Sequence, residues 1–206
     1  MSKELRRCTR CVMDTTDSAI TFDAEGVCDH CRLFETTVIP SWNFGKDKAG
    51  ALQRITEKIK LHGQNKNYDC ILGLSGGVDS SYLCYLAHKL GLRPLVFHVD
   101  AGWNTKVAVN NIEKLVDKLG LDLYTEVINW EEMKDLQIAF FKSGVSHVDA
   151  PQDHAFFATM YHFAEQNNIR YILTGANYST ECIRNPLEWM YYQSDSTQLN
   201  DIHQRF

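Results

Sequence analysis

The sequence predicts an α/β fold: a mostly parallel sheet with helices between its strands, preceded by a small cysteine-bearing segment. Three observations predict it. From Tyr68 onward, short continuous apolar runs alternate with amphipathic stretches. The first of these runs feeds a turn rich in glycine and serine. Four of the seven cysteines fall in two C-x-x-C pairs near the N-terminus.

A chain of 206 residues suits one core domain with a small appendage. Apolar residues at 44% and charged residues at 23% are globular values, which exclude disordered, collagen-like and coiled-coil chains. The formal charge of −5 provides no broad basic field, so binding of long DNA or RNA is disfavoured. Met1 to Arg7 carries basic residues with no apolar core behind them, unlike a secretory signal. No run approaches the ~18 apolar residues of a membrane span. A cytoplasmic protein without membrane contact is expected, and there paired cysteines favour metal over disulfides.

The elements follow in order. Residues 1–45 hold the cysteine pairs and show little helical periodicity. The second domain covers 46–206. Leu52, Ile55 and Ile59 mark a helix within 46–66. Cys70 to Leu74 reads as a strand buried on both faces. The next helix carries Leu83, Leu86, Ala87 and Leu90 on one stripe and stops at Gly91. Pro94 to Val99 is a second strand. Ile112, Leu115, Val116 and Leu119 mark a helix closed by Gly120. Leu121 to Ile128 is a third strand, and Asn129 caps a helix over Trp130 to Lys142. A polar loop, Ser143 to Asp149, leads to a helix from about Pro151 to Gln166. Tyr171 to Leu173 is a fourth strand, and Met190 to Phe206 is polar without a stop signal. Such sheets bind ligands beyond the carboxyl ends of their strands, so the loops after Leu74, Val99, Ile128 and Leu173 are the places to look.

Cys8-x2-Cys11 and Cys28-x2-Cys31 enclose the sixteen residues 12–27, which is zinc-ribbon spacing, with each pair on a tight turn. Four thiolates close a tetrahedron, so the zinc would be structural. His30 is an alternative ligand. So short a segment buries too little apolar area to fold alone, and the metal would supply its folding energy.

Ser75-Gly76-Gly77-Val78-Asp79-Ser80-Ser81 follows the first strand and opens a helix. The two glycines allow a tight turn and a close backbone approach. Amide groups of the turn and of the helix start converge on one spot, which favours an anion. Asp79 suits capping of the helix, and a carboxylate beside phosphate suggests Mg²⁺. The motif lacks the Gly-Lys-Ser/Thr of the common nucleotide loop and the spacing of the dinucleotide fingerprint. An ordinary capped glycine turn is the plainer alternative.

This motif resembles that of the PP-loop ATP pyrophosphatases, a parallel-sheet adenine-nucleotide α-hydrolase-like fold. The resemblance implies that loop 75–81 holds the β- and γ-phosphates of ATP. AMP then passes to a substrate oxygen, pyrophosphate leaves, and a nucleophile displaces AMP. Cys8-Thr-Arg-Cys-Val-Met-Asp14-Thr with Cys28-Asp-His-Cys31 is similar to the N-terminus of the N-acetyl sugar amidotransferases of O-antigen, lipopolysaccharide and flagellin-sugar synthesis. His98-Val-Asp-Ala-Gly-Trp103-Asn, Ala150-Pro-Gln-Asp-His154 and Leu173-Thr-Gly-Ala-Asn177 extend the resemblance over essentially the whole chain. It implies that ammonia replaces the N-acetyl oxygen of a nucleotide-linked acetamido sugar, giving an acetamidino sugar. Members of that family continue beyond the position of Phe206, which implies a domain incomplete at its C-terminus.

The resemblance also assigns places. Val99 and Asp100 would line adenine and ribose, although Asp100 equally suits a turn cap. Trp103 suits stacking on a base or sugar, or a core position. Gly175 would permit close approach of the nucleotide, or simply serve a turn. Asp149, Asp153 and His154 are candidates for a general base or a sugar contact, while the two acids equally suit an N-cap and a first-turn position. Asn177 and Glu181 are further candidates. Cys70, Cys84 and Cys182 lack the glycines of a nucleophile elbow, so glutamine hydrolysis is expected on another chain. The family is paired with a separate glutaminase and a barrel-type ammonia-delivering partner. Two rival readings are a tRNA-thiolation-type PP-loop enzyme and a non-catalytic nucleotide-sensing adaptor.

Overall fold

The computed structural model describes residues 4–41, 48–176 and 195–206. Those through Lys48 form one compact unit and those from Ala49 onward another.

The first unit is a loop structure with two isolated antiparallel bridges, Arg7 to Asp14 and Phe22 to Cys28. Side-chain turns carry much of it. Asp14, Asp17 and Asp23 each accept backbone N–H groups two residues ahead, as short acids do in turns. The chain then forms α1 (Asp29–Leu33), a π-helical turn (Phe34–Val38) and α2 (Ile39–Ser41). This helical stretch departs from the expectation of little helix before residue 45. Its run is too short to display a repeat of apolar positions. Among the described residues of this unit no aliphatic or aromatic side chain is fully buried; Cys8, Cys28, Asp17 and His30 are.

The second unit begins with α3 (Lys48–His62). It continues through β1 (Cys70–Gly73), α4 (Val78–Lys89), β2 (Pro94–Asp100) and α5 (Lys106–Leu119). β3 (Asp122–Val127), α6 (Trp130–Ser143), α7 (Ala150–Gln166), β4 (Ile172–Leu173) and α8 (Thr197–Arg205) complete it. The four strands are parallel in the order β3-β2-β1-β4. Thr105 and Asn129 cap α5 and α6 by accepting from Ala108 N and Glu131 N. Helix α8 lies within the C-terminal stretch that reads in sequence only as polar and without a stop signal. Its apolar anchor is Ile202, which is buried, with Leu199 one turn before it on the same face.

Each face of the sheet has its own core. On one, Leu72, Leu74 and Val96 pack with Ile59 of α3, Cys84 and Ala87 of α4, and Ile112 and Val116 of α5. On the other, Ile71, Phe97 and Val99 pack with Met160 and Ala164 of α7. β1 and the first six residues of β2 are almost wholly buried, as doubly covered parallel strands must be, whereas edge strand β3 is largely exposed. Of the apolar stripe on α3, only Ile59 is buried; Leu52 and Ile55 stay exposed.

Strand order fixes the ligand edge. The chain winds outward through β1, β2 and β3, then returns to the far side of β1 for β4. The carboxyl ends of β1 and β4 therefore flank the point where the winding reverses, the place where such sheets leave a crevice. A short connection joins α7 to β4, so α7 runs against the strands and its first turn lies on the strand-carboxyl side.

At the opposite edge Asp69, 4% exposed, ties α3, β1 and β2 together. Its carboxylate accepts from Arg93 N at 2.9 Å and from the Arg93 guanidinium at 2.6 Å. The same guanidinium donates to the carbonyls of Gly63 and Lys66, closing the end of α3. The Asp69 carboxylate beside Arg93 raises the guanidinium pKa further. Substituting Asp69→Ala removes the acidic partner this group has among the described residues and leaves the Arg93 N–H without its acceptor. We expect a loss of about 3 kcal/mol, reduced from the fully buried case because Arg93 is half exposed, read as a lower urea midpoint at unchanged slope.

Candidate functional site

The turn between β1 and α4 is the centre of the site. Its two outer peptide planes are each held by side chains at both ends. In the Leu74–Ser75 peptide, the carbonyl faces His98 Nδ1 at 3.0 Å and the N–H donates to Ser80 Oγ at 3.2 Å. In the Gly76–Gly77 peptide, the carbonyl accepts from Asn111 Nδ2 at 3.2 Å and the N–H donates to Ser75 Oγ at 3.4 Å. The Ser75 and Ser80 hydroxyls meet at 3.0 Å. Gly77 is the N-cap of α4 and supplies no side-chain cap; the first helical bond is Ser81 N to Gly77 O. Among the described residues, the N–H groups of Gly76, Val78, Asp79 and Ser80 meet no acceptor. Four orphan donors at one helix start make an anion cradle.

Two glycines make this geometry possible. Gly76 has φ of +78°, and a Cβ there would lie 2.4 Å from the Ala108 carbonyl oxygen of α5. Gly175, just past β4, would place a Cβ 2.9 Å from Ser80 N and 3.2 Å from the Asp79 carbonyl carbon. The end of β4 thus lies against the first turn of α4, backbone on backbone, at the reversal point of the sheet.

Asp79 is exposed in the first turn of α4 and does not cap it, contrary to the expectation from its position. The cap position falls two residues earlier, on Gly77. Val78 is exposed and Ser81 half-buried. Val99 is buried at the end of β2. Asp100 does what a turn acid does: its Oδ1 accepts from Gly102 N and Asn104 Nδ2, both at 2.9 Å. Trp103 is no core residue; it is half exposed and meets Trp130 edge-on, ring centroids 5.4 Å apart.

Asp149, Asp153 and His154 lie in the first turn of α7, on the strand-carboxyl side. Asp149 occupies the N-cap position without a side-chain cap bond. His154 Nε2 faces the Asp195 carbonyl at 2.9 Å, so that nitrogen carries a proton and donates. Asn177, Glu181 and Cys182 lie outside the described residues.

Three groups near the loop had not been singled out from sequence. Asn111, Lys114 and Lys118 of α5 face Gly76, Gly77, Val78 and Ser81 across an open cleft of about 450 Å³. Their spacing of three and four residues puts them on one helix face, a polar-face signal that can be read only once the opposite wall is known. Among the described residues neither lysine forms an ion pair.

In the first unit the sulfurs of Cys8, Cys11, Cys28 and Cys31 lie within 4.8 Å of one another. The first pair sits in a turn. The second does not: Cys28 is the N-cap of α1 and Cys31 lies inside the helix, which departs from the two facing turns expected of a ribbon. Cys8 Sγ accepts from Arg10 N and Cys28 N, both at 3.3 Å. Burial pushes the Cys8 thiol up, but N–H donors from Arg10, Cys28 and Cys11 together outweigh it and bring it down to about 6. Burial and the neighbouring sulfurs hold Cys28 and Cys31 up. Four thiols this close cannot all ionise without a cation among them, and all four are free of disulfides. The donor set therefore fits a tetrahedral thiophilic metal. The group of mutually close ligand atoms consists of the four sulfurs and does not include His30, whose Nε2 meets Asp17 Oδ2 at 2.6 Å.

The two described cysteines outside the cluster are inert. Burial pushes Cys70 up to about 12, with Asp69 adding to it, and Cys84 up to about 11. No described helix is long and apolar enough to cross a membrane.

Comparison with known proteins adds lineage. The asparagine synthase family matches residues 69–176, just over half of the chain. A glutamine-hydrolysing GMP synthase of Chlamydia caviae is 35% identical over 94 residues, covering 45% of this chain and 16% of that protein. A tRNA-specific 2-thiouridylase, MnmA 2, of Fusobacterium nucleatum subsp. nucleatum is 29% identical over 122 residues, 54% of this chain and 34% of that one. The chain thus spans between about a sixth and a third of the length of these relatives. Among solved structures, an NMN synthetase from Francisella tularensis is similar at 22% identity and a TM-score of 0.46, covering 62% of this chain and 53% of that one. By the family match over residues that include β1, the loop and all four strands, the chain belongs to the asparagine synthase family, within the PP-loop superfamily.

Proposed function

We propose that the protein is an ATP-dependent, ammonia-using amidotransferase of the cytoplasm that converts a nucleotide-linked acetamido sugar into its acetamidino form. The observation that carries the ATP reading is the set of acceptor-free amides at Gly76, Val78, Asp79 and Ser80, held open by the pinned peptides on either side. Four N–H groups without acceptors, at and just before one helix start, suit the β- and γ-phosphates. Lys114 and Lys118 add positive charge along the neighbouring cleft. Asp79 is the carboxylate that would share Mg²⁺ with the phosphates, which neutralises charge on the leaving pyrophosphate. Val99 and Asp100 are proposed to line adenine and ribose, and Gly175 to let the nucleotide close on β4.

The chemistry explains why ATP is needed. An amide oxygen leaves poorly. If that oxygen attacks the α-phosphorus, pyrophosphate departs and the oxygen leaves later as part of AMP. Ammonia adds to the activated carbon, AMP is expelled, and an amidine remains. Asp149 and Asp153 are the proposed carboxylates for taking a proton from ammonium or holding the sugar. His154 Nε2 carries the proton it donates to the Asp195 carbonyl, which leaves Nδ1 as the ring nitrogen with a lone pair.

The inert Cys70 and Cys84 support a supply of ammonia from elsewhere. A separate glutaminase and a barrel-type delivering chain are the proposed partners. A tRNA-thiolation-type reaction is the second reading, favoured by the 2-thiouridylase relative. The sequence after Ser81 holds no C-x-x-C pair and the formal charge is −5, which disfavour it. RNA binding that falls steeply with salt would support it. The cysteine cluster is proposed to hold one structural Zn²⁺.

Pyrophosphate release from ATP, with UDP-diacetamido sugars plus ammonium as acceptors, tests the reading. Asp79→Ala is expected to cut the rate by on the order of 10²-fold; an unchanged rate removes Asp79 from the site. Gly175→Ala drives a methyl into the Asp79–Ser80 backbone and is expected to raise KM for ATP about tenfold and to lower the urea midpoint as that backbone gives way. Metal analysis is expected to give about one zinc per chain, with amide protection of residues 4–41 lost on chelation. A chain purified with iron, or with no metal, would overturn the zinc assignment.

A further inference from the structure

His98 is 8% exposed, lies at the end of β2, and has a partner on each ring nitrogen. Nδ1 faces the Leu74 carbonyl oxygen at 3.0 Å. A carbonyl only accepts, so Nδ1 carries the proton. Nε2 is then a bare lone pair in the neutral ring, and it meets Asn104 Nδ2 at 3.2 Å. The Asn104 amide has two hydrogens. One goes to His98 and the other to Asp100 Oδ1 at 2.9 Å. Asp100 therefore fixes which way the amide points, since a flipped amide would set its oxygen against the carboxylate. The oriented amide fixes the imidazole tautomer, and the tautomer fixes the donor that holds Leu74 O. That carbonyl belongs to the peptide whose N–H is held by Ser80 Oγ, at the entrance of the anion cradle.

We propose that Asp100, Asn104 and His98 form a positioning relay that sets the phosphate loop from the loop after β2. This inference rests on the proposed nucleotide site and deepens it. His98 is a positioning residue: it touches no phosphate and acts through the Leu74–Ser75 peptide. The relay joins the two stretches that would hold opposite ends of one nucleotide, phosphates at 75–81 and nucleoside at 99–100. Without His98 the Leu74 carbonyl loses its side-chain donor, and the peptide plane can rotate. Its N–H then no longer holds the Ser80 hydroxyl in place, and Ser80 is both a loop tie and a cradle amide. A relay of this kind explains a buried histidine with two ordered partners beside a site in which it has no direct contact role.

Inorganic tripolyphosphate isolates the effect, because it has no base or ribose to contact the loop after β2. Its affinity is measured by titration calorimetry on the whole chain, alongside thermal unfolding. His98→Ala is expected to weaken binding about tenfold. His98→Asn places an amide donor near the position of Nδ1 and is expected to bind within about threefold of the parent. Both variants lose the same ring from the core, so a merely packing role would lower affinity equally in the two. Asn104 is exposed, so Asn104→Ala leaves folding largely intact; it is expected to weaken tripolyphosphate about threefold although that ligand reaches no part of residues 100–104. Parent-like affinity in His98→Ala or in Asn104→Ala, or His98→Asn binding as poorly as His98→Ala, would overturn the relay and leave the ATP reading standing. A parent chain that binds no tripolyphosphate would overturn the cradle and the relay together.

Discussion

Three stretches of backbone meet at the carboxyl end of β1 with no side chain between them. Gly76 rests on the Ala108 carbonyl of α5, and Gly175 rests on the first turn of α4. Side-chain donors and acceptors then fill what the glycines leave open: His98 and Ser80 on one peptide, Asn111 and Ser75 on the next. The Leu74–Ser75 and Gly76–Gly77 peptides each have both polar groups bonded, while among the described residues the N–H groups of Gly76, Val78, Asp79 and Ser80 meet no acceptor. An anion that binds there meets dipoles that need no reorganisation, which is where polar protein sites gain over water. The sheet order makes the meeting possible, because only β1 and β4 part company at their carboxyl ends.

The cysteine-bearing unit obeys a different constraint. Its described residues bury no aliphatic or aromatic side chain, only two cysteines, an aspartate and a histidine. Aspartate turns hold individual corners, but turns do not offset chain entropy as a core does. The four convergent sulfurs are the one feature dense enough to do so, given a cation.

Much of the α/β unit could be read from sequence because its signals are local. Glycine punctuation, Asn129 before α6 and the apolar run of β1 each depend on a few adjacent residues. What escaped depends on distance along the chain. His98 reaches Leu74 across 24 residues, and Asn111 reaches Gly76 across 35. Nothing in either residue type announces such a partner. Asp79 was misjudged as a cap because its position relative to the helix start shifts by two residues once Gly77 takes the extended conformation. Helix α8 lies in the stretch read only as polar, although Leu199, Ile202 and Phe206 stand there at helical spacing.

The sheet is also graded from its centre to its rim. β1 and β2 are sealed on both faces, whereas β3 keeps its ladder with β2 while nearly all of its side chains stay accessible. Sequence drift in this lineage should therefore be uneven across neighbouring strands. At Ile71, Leu72 and Val96 only replacements of matching volume survive, since each lost methylene opens a void. Along Asp122 to Val127 the backbone pairing is the main requirement, and polar or charged replacements cost little.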